Sequence, residues 1–171
     1  MTRDQLGKAI YDISHLTGSF KLRSGQVSNE YFDKYRFESQ PQLLKAIAKQ
    51  MASLLPSNID ALAGLEMGGI PVATALSLET GLPVLFVRKK AKDYGTCQFA
   101  EGLEPKGKRL CILEDVITTG GQVLLSTQDL RNAGALVEHV VCVIHRGQNP
   151  DKLGLQMKSL FTMSELNSFR V

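Results

Sequence analysis

The residues best suited to chemistry lie in one run, Leu110-Cys111-Ile112-Leu113-Glu114-Asp115-Val116-Ile117-Thr118-Thr119-Gly120-Gly121-Gln122. An apolar strand leads into two adjacent acids, then into hydroxyls and glycines that open a helix. Gly120 and Gly121 let the backbone come close to a ligand, and the free N–H groups at a helix N-terminus favour a phosphate. Thr118 and Thr119 add hydroxyl donors. Two acids beside an anion site would repel a bare phosphate, so they need another partner. Paired hydroxyls on a ribose, or a magnesium ion, would satisfy them. Phosphate and ribose diol side by side describe a phosphoribosyl group. Helix capping alone needs one Thr or Asp rather than this series. The spacing is neither that of a Walker loop nor that of a GxGxxG dinucleotide turn.

A second run is cationic. Arg88, Lys89, Lys90 and Lys92 fall within five residues, with Gly95 and Gly102 beyond them as hinges. Pyrophosphate leaving a sugar builds negative charge, and mobile cations closing over it stabilise that charge and exclude water. A charge run is by default a solvated face; its position after a strand, at the same rim as the phosphate run, gives it a ligand to meet. A third segment, Gly64-Leu65-Glu66-Met67-Gly68-Gly69-Ile70-Pro71, offers backbone amides in a glycine-rich turn before a helix, a geometry that can hold a diphosphate. Taken alone it is a turn and a helix start.

These segments need a scaffold. Thr2-x-x-Gln5 predicts a capping box ahead of Leu6, Ala9, Ile10, Ile13 and Leu16 at helical spacing. Short strands are expected at Phe20–Arg23 and Tyr31–Asp33 around a Ser-Gly turn, and a helix from Pro41 carrying Leu43, Leu44, Ile47, Met51 and Leu55. Apolar runs at Ile59–Gly64, Pro83–Val87, Leu110–Leu113 and Val137–Ile144 then alternate with helices at Ile70–Thr80 and Gly121–Asn132, the latter closed by Gly134. That rhythm means βαβ units: an α/β fold with a mostly parallel twisted sheet and helices on both faces. Ligands bind such sheets beyond the carboxyl ends of the strands. The rim therefore holds Gly64–Pro71, Arg88–Gly102, Glu114–Gln122 and His145–Gln148, with the acids standing in solvent.

Composition narrows the function. The chain has 171 residues, 20 Lys+Arg against 17 Asp+Glu and a formal net charge of +3, too small an excess to predict nucleic-acid binding. A hydrophobic fraction of 43% is ordinary for one globular domain. No run approaches the roughly 20 apolar residues of a membrane span, so no membrane partner is expected. Arg3, Asp4, Lys8 and Asp12 interrupt any signal-peptide core, and Cys97, Cys111 and Cys142 show no C-x-x-C spacing. Reduced thiols in a cytoplasmic protein are the expectation. Three dispersed histidines, none at i,i+4 from another, argue against a histidine metal cage.

Strand, Glu-Asp, two residues, Thr-Thr-Gly-Gly resembles the signature of the type I phosphoribosyltransferases, which use 5-phosphoribosyl 1-diphosphate. Phe20-x-Leu22-x-Ser24-Gly25-x-x-Ser28-x-x-Tyr31-x-Asp33 is similar to the N-terminal pattern of the orotate phosphoribosyltransferases, and Arg88–Gly95 to their mobile catalytic loop. Ordered matches run from about Phe20 to Arg146. The resemblance implies transfer of ribose 5-phosphate to orotate in UMP synthesis, on a single phosphoribosyltransferase domain over 1–171. A hood would come from about 1–35 and 147–171, and a core from about 36–146. It implies catalytic roles for Arg88, Lys89, Lys92 and Asp115. The diphosphate substrate would be bound by Arg88, Lys89, Lys92, Tyr94 and the run Glu114, Asp115, Val116, Ile117, Thr118, Thr119, Gly120, Gly121 and Gln122. Orotate would meet Thr118 and Arg146, with Arg23 a further candidate. Mg2+ would arrive on the diphosphate oxygens, without direct protein ligands, and the protein would be a homodimer whose catalytic loop crosses to the neighbour. Two positions depart from the family: Tyr94 stands where the loop carries His, and Gly68 where some members carry Lys. A purine phosphoribosyltransferase would lack the Phe20–Asp33 pattern and Arg146. A nucleic-acid-binding regulator on the same fold would need a basic surface away from the rim.

Overall fold

The computed structural model describes residues 1–22, 24–93, 98–147 and 153–170. Arg23, Tyr94, Gly95, Cys97 and Gln148, all singled out above, lie outside the described residues.

Helix α1 (Arg3–Ser14) starts on the expected capping box. The Gln5 N–H donates to Thr2 Oγ1 at 3.3 Å, and the Thr2 N–H donates to the Gln5 side-chain oxygen at 2.9 Å. An antiparallel hairpin follows, β1 (His15–Lys21) and β2 (Val27–Phe32). Both strands are longer than expected. The polar Thr17-Gly18-Ser19 stretch carries no apolar alternation, yet pairing runs from His15 opposite Phe32 to Lys21 opposite Val27, with an irregularity between Thr17 and Phe20. Stacking of Phe20 on Tyr31, ring centroids 5.5 Å apart, ties the strands together across the hairpin.

A four-residue helix, α2 (Tyr35–Glu38), was not legible in the pattern, being too short to show a period. Helix α3 (Pro41–Met51) has its proline in the first turn, as expected. Then come β3 (Ala61–Leu65), α4 (Gly69–Thr80), β4 (Val84–Val87), β5 (Ala100–Glu101), β6 (Arg109–Ile117), α5 (Gly121–Asn132), β7 (Leu136–His145), β8 (Gln156–Thr162) and α6 (Met163–Asn167). The main sheet has six strands among the described residues, in the order β5-β4-β3-β6-β7-β8. Every pairing in it is parallel except that of β5 with β4. The chain builds outward from β3 through α4 to β4, then returns to lay β6 on the other side of β3. The strand order therefore reverses between β3 and β6, where an open α/β sheet leaves a crevice for ligands.

Alternation along β6 sorts the core. Cys111 and Leu113 pack with Ile10 of α1, Ile47 of α3 and Leu76 of α4 on one face, while Leu110 and Ile112 pack with Val123 and Leu130 of α5 on the other. Cys111 and Cys142 are buried free thiols whose ionisation burial pushes upward, so they are core residues. No helix of the described residues is long and apolar enough to cross a membrane.

The central strands should tolerate truncation poorly. Leu62 of β3 is wholly buried, so Leu62→Ala is expected to cost about 2–5 kcal/mol and lower the melting temperature by about 4–20 °C. A variant that melts with the wild type would contradict this packing.

Candidate active site

Strand β6 runs four residues further than its apolar stretch, carrying Glu114 and Asp115 inside the strand rather than after it. Neighbouring β7 supports the extension, pairing through Glu114 opposite Cys142 to Ile117 opposite His145. Successive strand residues face opposite sides. Glu114 lines a cavity of about 350 Å3 together with the run from Val116 to Val123. Asp115 turns the other way, toward Lys34 and Gly68.

The cavity floor is backbone. Gly120 sits before α5 with φ +74°, the left-handed region, and a Cβ there would lie 2.3 Å from Leu153 Cδ2. Both conformation and space therefore require glycine. Leu124 donates the first helical bond to Gly120, leaving the N–H groups of the first turn directed at the cavity. The Gln122 side chain bonds Ser126 Oγ at 3.2 Å within the helix. A helix N-terminus, two threonines and a carboxyl group thus surround one cavity, which suits an anion attached to a polyol.

Asp115 is not at a solvated rim. It is fully buried, because the strand's continued pairing draws it inside. Its Oδ1 accepts the Val116 N–H at 2.6 Å, and Lys34 Nζ stands 2.6 Å from Oδ2. Oδ2 makes no hydrogen bond of acceptable angle, so charge holds that pair. Burial would raise the Asp115 carboxyl, but Glu38 and the Lys34 ammonium outweigh it and keep Asp115 below its ordinary value. The other two acids take the opposite course. Burial, reinforced by Asp115, pushes Glu38 up to about 9 and Glu114 up to about 8. Glu38 and Glu114 thus hold their protons more tightly than Asp115, which keeps the cluster's negative charge beside the Lys34 ammonium.

Around this centre the expected rim segments converge at the carboxyl ends of the strands. Gly69 passes so close to β6 that a Cβ would lie 2.3 Å from the Leu113 carbonyl oxygen. In the cationic run, the Lys89 N–H donates to Glu66 Oε2 at 2.9 Å. Arg88 Nη1 lies 4.0 Å from Glu101 Oε1, and Lys92 pairs with that same carboxylate. Arg146 is exposed; its N–H donates to the Ile117 carbonyl at 2.8 Å, and a Cβ at Gly147 would lie 2.5 Å from the Thr118 carbonyl oxygen. Arg146 thus flanks the Thr118 end of the cavity. Lys34, Glu38, Glu66 and Glu101 were missed by sequence reasoning. Glu66 lies inside the glycine loop already singled out, and Lys34 directly follows the Phe20–Asp33 pattern, but their partners are distant in sequence.

A parallel sheet with a phosphate cradle and an acid-bearing strand at its switch point defines a phosphoribosyltransferase, and residues 35–169 match the family described as Phosphoribosyl transferase domain. An orotate phosphoribosyltransferase from Nocardioides sp. is 51% identical over 175 residues, covering 99% of this chain and 98% of that protein. The orotate phosphoribosyltransferase of Mycobacterium tuberculosis H37Rv, solved with Fe(III) dicitrate, superposes with a TM-score of 0.86 at 29% identity, over 96% of this chain and 98% of that one. The same enzyme solved with 5-phospho-alpha-D-ribosyl 1-diphosphate gives a TM-score of 0.81 at 26% identity, over 96% and 98%. The chain belongs to the phosphoribosyltransferase family, and within it to the orotate phosphoribosyltransferases.

The acid cluster generates a pH test. A carboxyl whose folded pKa is raised keeps its proton where the unfolded chain loses it, so stability falls as pH rises from about 4.5 toward the folded value. Gln mimics the protonated acid. Glu38→Gln should therefore melt with the wild type near pH 4.5 and above it at pH 8, in scans by circular dichroism. Equal melting at both pH values would show that Glu38 is ionised when folded.

Proposed function

We propose that the chain transfers the 5-phosphoribosyl group from 5-phosphoribosyl 1-diphosphate to orotate, giving orotidine 5′-monophosphate and pyrophosphate in UMP synthesis. The observation that carries this reading is the cavity lined by Glu114 and residues 116–123, with the Arg146 backbone bonded to Ile117 beside its Thr118 end. In it, the 5′-phosphate takes the backbone N–H groups and hydroxyls of residues 118–122, with Val116 and Ile117 forming the wall. Glu114 faces the ribose hydroxyls from the cavity wall, and Asp115, which points to the other side of β6 in this structure, turns to join it. Binding by Asp115 requires its carboxylate to exchange some of its hold on Lys34 for a ribose O–H.

Orotate meets Arg146 and Thr118. A planar guanidinium presents paired donors to a carboxylate or a pyrimidine carbonyl edge. Arg23, outside the described residues, is a further candidate there. Arg88, Lys89 and Lys92, with Tyr94 beyond the described residues, serve the diphosphate. Arg88 and Lys92 share Glu101 in this structure, so that carboxylate holds them at the rim until a more highly charged anion draws them over. The bond between the anomeric carbon and the diphosphate oxygen breaks, its electron pair leaving with pyrophosphate. Positive charge develops on the sugar, and a ring nitrogen of orotate closes the new bond from the opposite face.

No three His, Cys, Asp or Glu side chains converge into a metal cage among the described residues. The hard oxygen set that Mg2+ prefers lies instead on the diphosphate and ribose, with Glu114 at the cavity wall. Mg2+ bound there would neutralise charge on the departing pyrophosphate. The reading also includes a cytoplasmic location, a hood formed by segments 1–35 and 147–171 over a core of 36–146, and a homodimer whose catalytic loop serves the neighbour's site.

Loss of orotate absorbance on adding 5-phosphoribosyl 1-diphosphate and Mg2+ tests the activity; no change with orotate, but turnover of a purine base, would contradict it. Arg146→Ala should raise the KM for orotate by about 10- to 150-fold, the equivalent of about 1.5–3 kcal/mol for a charge-assisted bond. The KM for the diphosphate substrate should move much less. Equal losses would assign Arg146 a general structural role. For the shared site, Lys92→Ala and Asp115→Ala subunits are mixed after dissociation. Half the dimers are then mixed, each with one intact site, and about a quarter of wild-type activity should return. No recovery despite proven exchange would place Lys92 in its own subunit's site.

A further inference from the structure

Gly68 poses a question that its backbone does not answer. It has φ −71° and ψ −29°, a right-handed helical conformation open to any residue. What excludes a side chain is space: a Cβ at Gly68 would lie 1.9 Å from Asp115 Oδ2. That oxygen is held in place by Lys34, whose Nζ stands 2.6 Å away on its other side. The Asp115 carboxylate therefore fills the space where a residue-68 side chain would begin, its Cγ 2.3 Å and its Oδ1 2.9 Å from that Cβ position, with the Lys34 ammonium on its other side. Glycine at 68 and lysine at 34 form a matched pair across the Asp115 carboxylate.

We infer that Lys34 is a substrate-binding residue whose ammonium supplies the positive charge missing from the glycine loop at 66–69 and engages the diphosphate of the ribosyl donor. This rests on the function proposed above and adds to it a residue of the donor site. Three observations carry it. The Lys34 side chain is one-third exposed, so its ammonium touches the buried carboxylate and still reaches the open side of the cluster. Its base is fixed where the hairpin meets the core, since Asp33 donates its N–H to Ser14 at 2.8 Å and Lys34 caps α2. Finally, the loop beside it brings an acid, Glu66, which already accepts from the Lys89 N–H, and no side-chain cation of its own.

The exchange balances in charge. In the empty site Asp115 is neutralised by Lys34. When the donor binds, ribose O–H groups bond Asp115, and the ammonium, on a flexible four-carbon stem with three donors, turns to a diphosphate oxygen without leaving the carboxylate's neighbourhood. No covalent step is involved.

Lys34→Gln loses the charge while keeping N–H donors, and Asp115 can offset the loss by taking up a proton, so the fold survives for measurement. Its expected phenotype is a KM for 5-phosphoribosyl 1-diphosphate, and a Kd for inorganic pyrophosphate by calorimetry, raised about 10- to 100-fold. The KM for orotate should stay within about threefold. The decisive variant is Lys34→Ala/Gly68→Lys. Without Lys34 the Asp115 side chain can leave its present rotamer, as its Cγ at 2.3 Å from the residue-68 Cβ position requires, and the new lysine should restore pyrophosphate affinity at least tenfold over Lys34→Ala, whereas Gly68→Lys alone, forced against the pinned carboxylate, should impair binding. Unchanged pyrophosphate affinity in Lys34→Gln, equal losses for orotate and donor, or no rescue by the double variant would each overturn the inference. Wild-type protein that fails to turn over orotate would instead overturn the function on which it rests.

Discussion

A single buried carboxylate, Asp115, ties the active rim together. It sits at the end of the central strand β6, takes the next residue's N–H on one oxygen, and holds the Lys34 ammonium and presses on Gly68 with the other. Those contacts link three elements that share no hydrogen-bonded ladder: the turn into α2, the β6 strand, and the loop that opens α4. An uncompensated charge at this depth costs about 3–5 kcal/mol, so none of the three can move independently. The crevice between β3 and β6 is thereby fixed before any ligand arrives. Preorganisation of this kind lets the site spend binding energy on the ribosyl group rather than on assembling itself.

The rest of the rim follows the same electrostatic logic at lower stakes. Three of the cations assigned to the diphosphate have an acid as partner, Arg88 and Lys92 at Glu101 and Lys34 at Asp115, while Glu66 holds the Lys89 backbone N–H. Glu38 and Glu114, pushed upward by burial and by Asp115, hold their protons more tightly. A polyanionic substrate therefore meets cations whose present partners carry one charge each, and it competes for them with several. The exposed pairs among them contribute little to stability and can exchange at little cost. The Asp115 pair, with its carboxylate buried, gives way only as ribose hydroxyls take over that carboxylate.

Much of this was legible in the sequence. The phosphate cradle, the parallel sheet and the convergence of four segments at one rim follow from local signals: glycines where a helix opens, apolar runs of strand length, and helices between them. The capping box at Thr2 and the helix at Gly121–Asn132 have the bounds their residues imply. What escaped was set at a distance. Nothing local says that β6 continues through two acids, because its pairing with β7 pays for their burial. Nothing in Lys34 announces Asp115, 81 residues on, and Gly68 reads as a turn glycine until the carboxylate that fills its side-chain space is seen.

The central claim is that the β6 acids recognise ribose while the α5 N-terminus recognises phosphate, and calorimetry can separate the two. Wild-type protein and Asp115→Asn are titrated with inorganic phosphate and with ribose 5-phosphate. The account predicts equal phosphate affinity in both proteins and ribose 5-phosphate affinity at least tenfold weaker in the variant. Equal affinity of both proteins for ribose 5-phosphate, or parallel loss for the two ligands, would contradict it.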